Sequence, residues 1–247
     1  MISILANYET LSHAAAELFV EEAQSAVDKN GFFSIAASGG HTPERMYEIL
    51  AHKDIRDKIP WDKTYVFWGD ERCVPPDHPS SNQLMLRRLL LAHVNIPEQN
   101  VFPISGTLPP GEAAQEYEIL LHKFFTNRQI GFDLILLGLG DNGHTASLFP
   151  GTPALDETQR WATDVYVAEQ KMHRVTLTAP FINLAKKIVF LVSGRSKALV
   201  LKEVREGPTD PERLPAQLIK PVEGDLIWLV DQEAGSLLTQ SNQVSHS

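Results

Sequence analysis

Four clusters in this 247-residue chain join side chains suited to chemistry with backbone suited to holding a ligand. Gly138-Leu139-Gly140-Asp141-Asn142-Gly143-His144 ends a glycine-rich run in a histidine. An imidazole titrates near neutral pH, so one fixed at a loop end can take a proton from water. The N–H groups beside it can face a developing oxyanion. Ser38-Gly39-Gly40-His41-Thr42-Pro43 lets the backbone approach a ligand closely, and free N–H groups at a helix start favour phosphate. Gly69-Asp70-Glu71-Arg72 sets two carboxylates beside a guanidinium, an anion clamp oriented by an acid. Lys197, in Gly194-Arg195-Ser196-Lys197, and Arg174 are two further cations for a phosphate.

Each cluster also has a plain structural explanation. The Ser38–Thr42 stretch can be a tight turn before a capped helix. Asp70, Glu71 and Arg72 can form a surface ion pair, which is worth little. Most of the nine histidines have structural or surface places, and a basic residue near an element end usually faces solvent. Residues 138–143 even fit the dinucleotide fingerprint G-x-G-x-x-G, with Asp164 near the spacing of its acidic partner. The residues after Gly143 rule out a dinucleotide site. A crossover helix would run only from His144 to Phe149 before meeting Pro150, Gly151 and Pro153. The loop is better read as a scaffold for His144.

The elements that must position these clusters follow from periodicity. Residues 10–29 carry apolar side chains at helical spacing and stop at Gly31. Residues 32–37, 65–68, 132–137, 188–192 and 226–230 read as buried strands, as does 175–178 just after Arg174. A helix near 80–93 and another over 197–204 are expected, and Thr42 should cap a helix that has Pro43 at its first position. The Pro-containing stretches 103–111 and 207–215 read as surface loops. Apolar strands alternating with helices predict a single α/β domain over 1–247, with a mainly parallel, Rossmann-like sheet covered by helices on both faces. Ligands of such sheets bind at the carboxyl ends of the strands, and the clusters all sit just there.

Composition narrows the partners. A net charge of −9 gives no basic footprint for nucleic acid, so an anionic small molecule needs a locally basic pocket. Cys73 is the sole cysteine, so no intrachain disulfide forms, which favours a reducing compartment. No run reaches the roughly 18 apolar residues of a membrane span, and the start lacks a secretion signal. A cytoplasmic protein, monomeric or weakly dimeric, is expected. Neither zinc spacing, nor a P-loop, nor a G-x-S-x-G elbow occurs, and no metal or cofactor is expected.

The chain resembles the 6-phosphogluconolactonases of the glucosamine-6-phosphate isomerase/6-phosphogluconolactonase family. The resemblance rests on Ala37-Ser-Gly-Gly-His-Thr-Pro43, Trp68-Gly-Asp-Glu-Arg-Cys-Val-Pro75 with His78 and Ser81-Asn82, the block from Leu137 to Pro150, and Arg174-Val-Thr-Leu-Thr178 with Gly194-Arg-Ser-Lys-Ala198. It implies a metal-free lactone hydrolase acting on 6-phospho-D-glucono-1,5-lactone, with His144 as general base. It also implies that Arg72, Lys197 and Ser38, Gly39, Gly40 and Thr42 lie near the phosphate or ring hydroxyls, and Asp70, Asn142 and Arg174 join them as expected substrate contacts. The family often carries Asp where this chain has Asn142. Asn can hydrogen-bond but cannot stabilise an imidazolium by charge, so Asp141 is the candidate acid beside His144. The nearest rival, a glucosamine-6-phosphate isomerase/deaminase, would need an acid placed to move a proton between C1 and C2, and a different block in place of Gly69-Asp-Glu-Arg72. A catalytically silent sugar-phosphate regulator would lack the His144 loop or carry an added DNA-binding segment.

Overall fold

Phe33–Ala37 is buried at every position, and Lys187–Val192 at all but its first. Only a strand covered on both faces accepts such a run. In the computed structural model, which describes residues 1–239, these are β2 and β9 of a seven-stranded sheet in which every pairing is parallel. The others are β1 (Ile2–Leu5), β3 (Thr64–Trp68), β5 (Val101–Phe102), β6 (Leu134–Gly138) and β10 (Asp225–Asp231), in the order β1-β10-β9-β6-β2-β3-β5. Residues 240–247 of the expected domain lie outside the described residues.

A second sheet, absent from the sequence expectation, is antiparallel: β4 (Asp70–Arg72), β8 (Met172–Leu177) and β7 (Ala162–Val167), in the order β4-β8-β7. Flanking helices are α1 (Tyr8–Asn30), α2 (Glu44–Ala51), α3 (Lys53–Arg56), α4 (Asn82–Leu89), α5 (Pro110–Phe125), α6 (Ala179–Ile182) and α7 (Ala198–Glu206). One contiguous hydrophobic core runs through both sheets. No helix among the described residues is long and apolar enough to cross a membrane.

Local chemistry explains most boundaries. Asn7 caps α1 by accepting from Thr10 N at 3.0 Å, and Thr10 Oγ1 returns the bond to Asn7 N. Leu11, Ala15, Phe19, Ala23 and Ala26 give α1 its buried stripe, and Gly31 ends it at φ 80°. Two expectations need correcting. Thr42 makes no capping bond; α2 begins at Glu44 after a turn closed by Glu44 N to His41 O. The expected loop 103–111 ends by opening α5, with Pro110 at its first position, where a missing N–H costs nothing.

Asp133 ties three elements together. Its Oδ2 accepts from Ser34 N and Oγ, both at 2.8 Å, and its Oδ1 accepts from Lys186 Nζ at 2.8 Å. Asp133→Ala leaves a buried β2 amide without its acceptor and is expected to cost about 1–3 kcal/mol. Urea unfolding should show a lower midpoint at unchanged slope.

Candidate active site

From β2 the chain builds outward to β3 and β5, and from β6 it builds the other way to β9 and β10. The strand order therefore reverses between β2 and β6, and a ligand crevice opens outside their carboxyl ends. The Ser38–Thr42 turn follows β2 and the Leu139–His144 loop follows β6, so the topology alone sets two of the four clusters face to face. They line a cleft of about 430 Å³ that Asp70, Arg72, Arg174 and Lys197 also enter.

His144 is held on several sides. Its ring stacks on Phe149, centroids 3.9 Å apart at 18°. Asn142 Oδ1 lies 2.6 Å from Nδ1 and 3.2 Å from the His144 backbone N. Gly140 N donates to His144 O at 2.8 Å, and Gly143 N to Gly140 O at 3.0 Å. A side chain at Gly140 has no room, because its Cβ would fall 2.0 Å from His144 Nδ1. Gly143, at φ 80°, is braced from behind by Leu214 and by Ala216 N, which donates to its carbonyl at 2.9 Å. No crossover helix follows; residues 145–150 form a tight irregular turn, as Pro150 demands. Burial pushes the imidazole down to about 4, helped by Arg174 and Lys197 and opposed by Asp70 and Asp141.

The basic wall is built on the small sheet. Arg72 and Arg174 are directly paired across β4 and β8, two guanidiniums where like charges repel. Asp70 offsets this: its Oδ2 lies 3.4 Å from Arg174 Nη1 and accepts from Ser147 Oγ at 2.6 Å. Arg174 also lies over the Phe149 ring, 5.3 Å from its centroid, and its Nη2 donates to Gln170. Burial, with Arg72 opposite and Asp70 opposing, lowers the Arg174 guanidinium from its usual range. Arg72 donates to Ser80 O at 2.6 Å.

Glu71 does not join its neighbours in the cleft. Successive side chains on a strand point to opposite faces, and Glu71 points to α4. There it accepts from Asn82 N and Gln83 N at 2.8 Å and from Ser81 Oγ at 3.0 Å, a carboxylate on a helix N-terminus.

Asp141 departs from the sequence expectation. It does not take the imidazole; its carboxylate pairs with Lys197 Nζ, and Asn142 takes Nδ1 instead. On the turn after β2, Tyr47 holds Ser38 through both backbone groups, at 3.1 and 2.8 Å. Gly39 is obligatory, since its Cβ would fall 1.9 Å from Asn82 Oδ1, and Gly40 sits at φ 84°. The Lys197 turn is anchored by Asp231, which accepts from Ser193 Oγ and from Gly194 N at 3.0 Å.

The residues expected from sequence line the cleft, except Asn142, which reaches it only through its bond to the His144 ring. Asn82, Gln170 and Ser193 also line it, and Ser147 supports Asp70 from behind, without having been singled out. Asn82 was visible in the Ser81-Asn82 pair; Gln170 lies between β7 and β8, with nothing in its spacing to mark it.

Comparison with known proteins agrees. A family model described as glucosamine-6-phosphate isomerases/6-phosphogluconolactonase matches residues 6–228. The chain is 45% identical over 241 residues to the 6-phosphogluconolactonase of a Synechocystis species, covering 96% of this chain and 98% of that one. It is 40% identical over 244 residues to its counterpart in a Nostoc species, with 96% and 98% covered. Among solved structures, the 6-phosphogluconolactonase of Trypanosoma cruzi superposes with a TM-score of 0.84 at 28% identity, covering 96% of each chain. On the extent of these matches, the chain belongs to the glucosamine-6-phosphate isomerase/6-phosphogluconolactonase family.

Proposed function

We propose that this protein hydrolyses 6-phospho-D-glucono-1,5-lactone to 6-phospho-D-gluconate, the lactonase step of the oxidative pentose phosphate pathway. The observation that carries the reading is a neutral, backbone-braced imidazole at the sheet's switch point, facing a wall of three cations. The phosphate takes Lys197, Arg174 and the Ser38–Thr42 turn. Asp70 shapes the floor, and Asn142 supports the imidazole.

His144 Nε2 takes a proton from water as the oxygen attacks C1. The oxyanion is held by loop N–H groups or by Arg72. As the tetrahedral carbon collapses, the bond from C1 to the ring oxygen breaks, and the imidazolium returns its proton to that oxygen. The acid so formed ionises to the carboxylate. Phosphate binding assists the base. Arg174 and Lys197 both depress the imidazole in the free protein, and a bound dianion offsets them. His144 is therefore a stronger base in the substrate complex than in the free enzyme.

The isomerase alternative fits less well. Its proton carrier would be Asp70, whose carboxylate is already engaged by Ser147, Arg174 and Asn82. We place the enzyme in the cytoplasm on the strength of its single cysteine, and propose a monomer or weak homodimer as its working state. The test is the rate of loss of freshly made lactone with the spontaneous rate subtracted. Clear acceleration is expected. No acceleration, or ammonia release from glucosamine 6-phosphate in its place, would overturn the proposal.

A further inference from the structure

We infer that Asn142 is the positioning residue of His144, selecting the imidazole tautomer that leaves Nε2 bare, and doing so without adding charge. The inference rests on His144 being the base proposed above.

The hydrogen-bond pattern assigns the protons. Asn142 Oδ1 is 3.2 Å from the His144 backbone N and 2.6 Å from ring Nδ1. A backbone amide only donates, so the Asn142 atom that meets it is the oxygen and not the nitrogen. The ring nitrogen that shares this oxygen must then carry hydrogen. A neutral imidazole has one N–H, so Nε2 keeps its lone pair. Histidine in water favours the opposite tautomer, and Asn142 reverses that preference. Among the described residues Nε2 has no hydrogen-bond partner of its own.

The choice of an amide has a consequence that a carboxylate would not. The charged groups facing the imidazole are Arg174 on β8, Lys197 beyond β9, Asp70 on β4 and Asp141 on its own loop. The two cations oppose protonation and the two carboxylates favour it, with Asp141 already engaged by Lys197. A carboxylate at 142 would add an anion in direct contact with Nδ1 and hold the ring protonated. The amide orients the ring equally well and keeps it neutral into acid. It also leaves the imidazolium, once formed, a stronger acid toward the leaving ring oxygen.

Two measurements test this. With ¹⁵N-labelled histidine, the resonances lost in His144→Asn identify the ring, and the wild type at neutral pH should show hydrogen on Nδ1 and none on Nε2. Asn142→Ala should lose that preference and lower kcat, with KM little changed. Partners that orient a metal-bound histidine are typically worth about 10–100-fold, and a loss of that order is expected for this metal-free imidazole. Asn142→Asp should retain the tautomer and move the acid limb of kcat/KM upward by about 1–3 pH units, the effect of an adjacent opposite charge. An Nε2–H ring in the wild type, or an unmoved limb in Asn142→Asp, overturns the inference. Either result leaves the lactonase reading standing provided that His144→Asn still loses turnover. Wild-type turnover in His144→Asn would instead remove the base assignment itself.

Discussion

His144→Asn is expected to lower lactone turnover by about 10²–10⁴-fold, the usual worth of a positioned general base. KM should change far less, because the phosphate contacts proposed above, Arg174, Lys197 and the Ser38–Thr42 turn, are left intact. Near-wild-type turnover in a folded variant would sink the assignment. The same residue sets two pH dependences. In the free enzyme the imidazole sits at about 4 instead of 6.5, so kcat/KM should hold until the pH nears 4. The limb of kcat should lie higher, because bound phosphate offsets the cations. For stability the sign is that of a depressed group. The unfolded chain takes up a proton near 6.5 that the folded chain refuses until about 4, so folding loses stability across that interval as pH falls. His144→Asn should therefore be less acid-sensitive over the same interval in thermal melts.

The second large effect is expected at a residue with no functional group. Gly140→Ala would bring its Cβ within 2.0 Å of His144 Nδ1 and 2.1 Å of Cε1. No L-residue strain arises, since Gly140 is not among the positive-φ positions. The three nearest atoms it would meet all belong to the imidazole. Phe149 stacks against that ring, so it must slide off its place beside Asn142. A displacement of about 1 Å can cost about 10² in rate, so kcat should fall by at least that factor. Overpacking should cost about 1–3 kcal/mol of stability, small enough for the variant to remain folded. Turnover unchanged within a factor of two would show that the ring tolerates the move, and that its observed position is not the catalytic one.

Much of this was legible in the chain itself. The five apolar runs at 32–37, 65–68, 132–137, 188–192 and 226–230 overlap β2, β3, β6, β9 and β10, because a strand buried on both faces can carry no polar alternation. Pro150 after His144 excluded a dinucleotide site without any coordinates, since a proline so placed ends the helix such a site needs. The rule that ligands gather at strand carboxyl ends put all four clusters on one rim.

Other features were not legible, for physical reasons that also differ by residue. β1 is a short edge strand whose pairing with β10 spans nearly the whole chain, and no local pattern encodes a partner so distant. The small sheet joins β4 to the β7–β8 hairpin far along the chain, so nothing near Asp70-Glu71-Arg72 revealed that Glu71 faces α4 while its neighbours face the cleft. The orienting group of His144 shows the limit most clearly. By charge, Asp141 was the better candidate. In three dimensions the loop turned Asp141 out to Lys197 and brought the amide of Asn142 onto Nδ1. Sequence determined which residues could do the chemistry, because type and strand-end position are local. Only the tertiary structure decided which way each side chain faces, because that depends on backbone turns and on partners far along the chain.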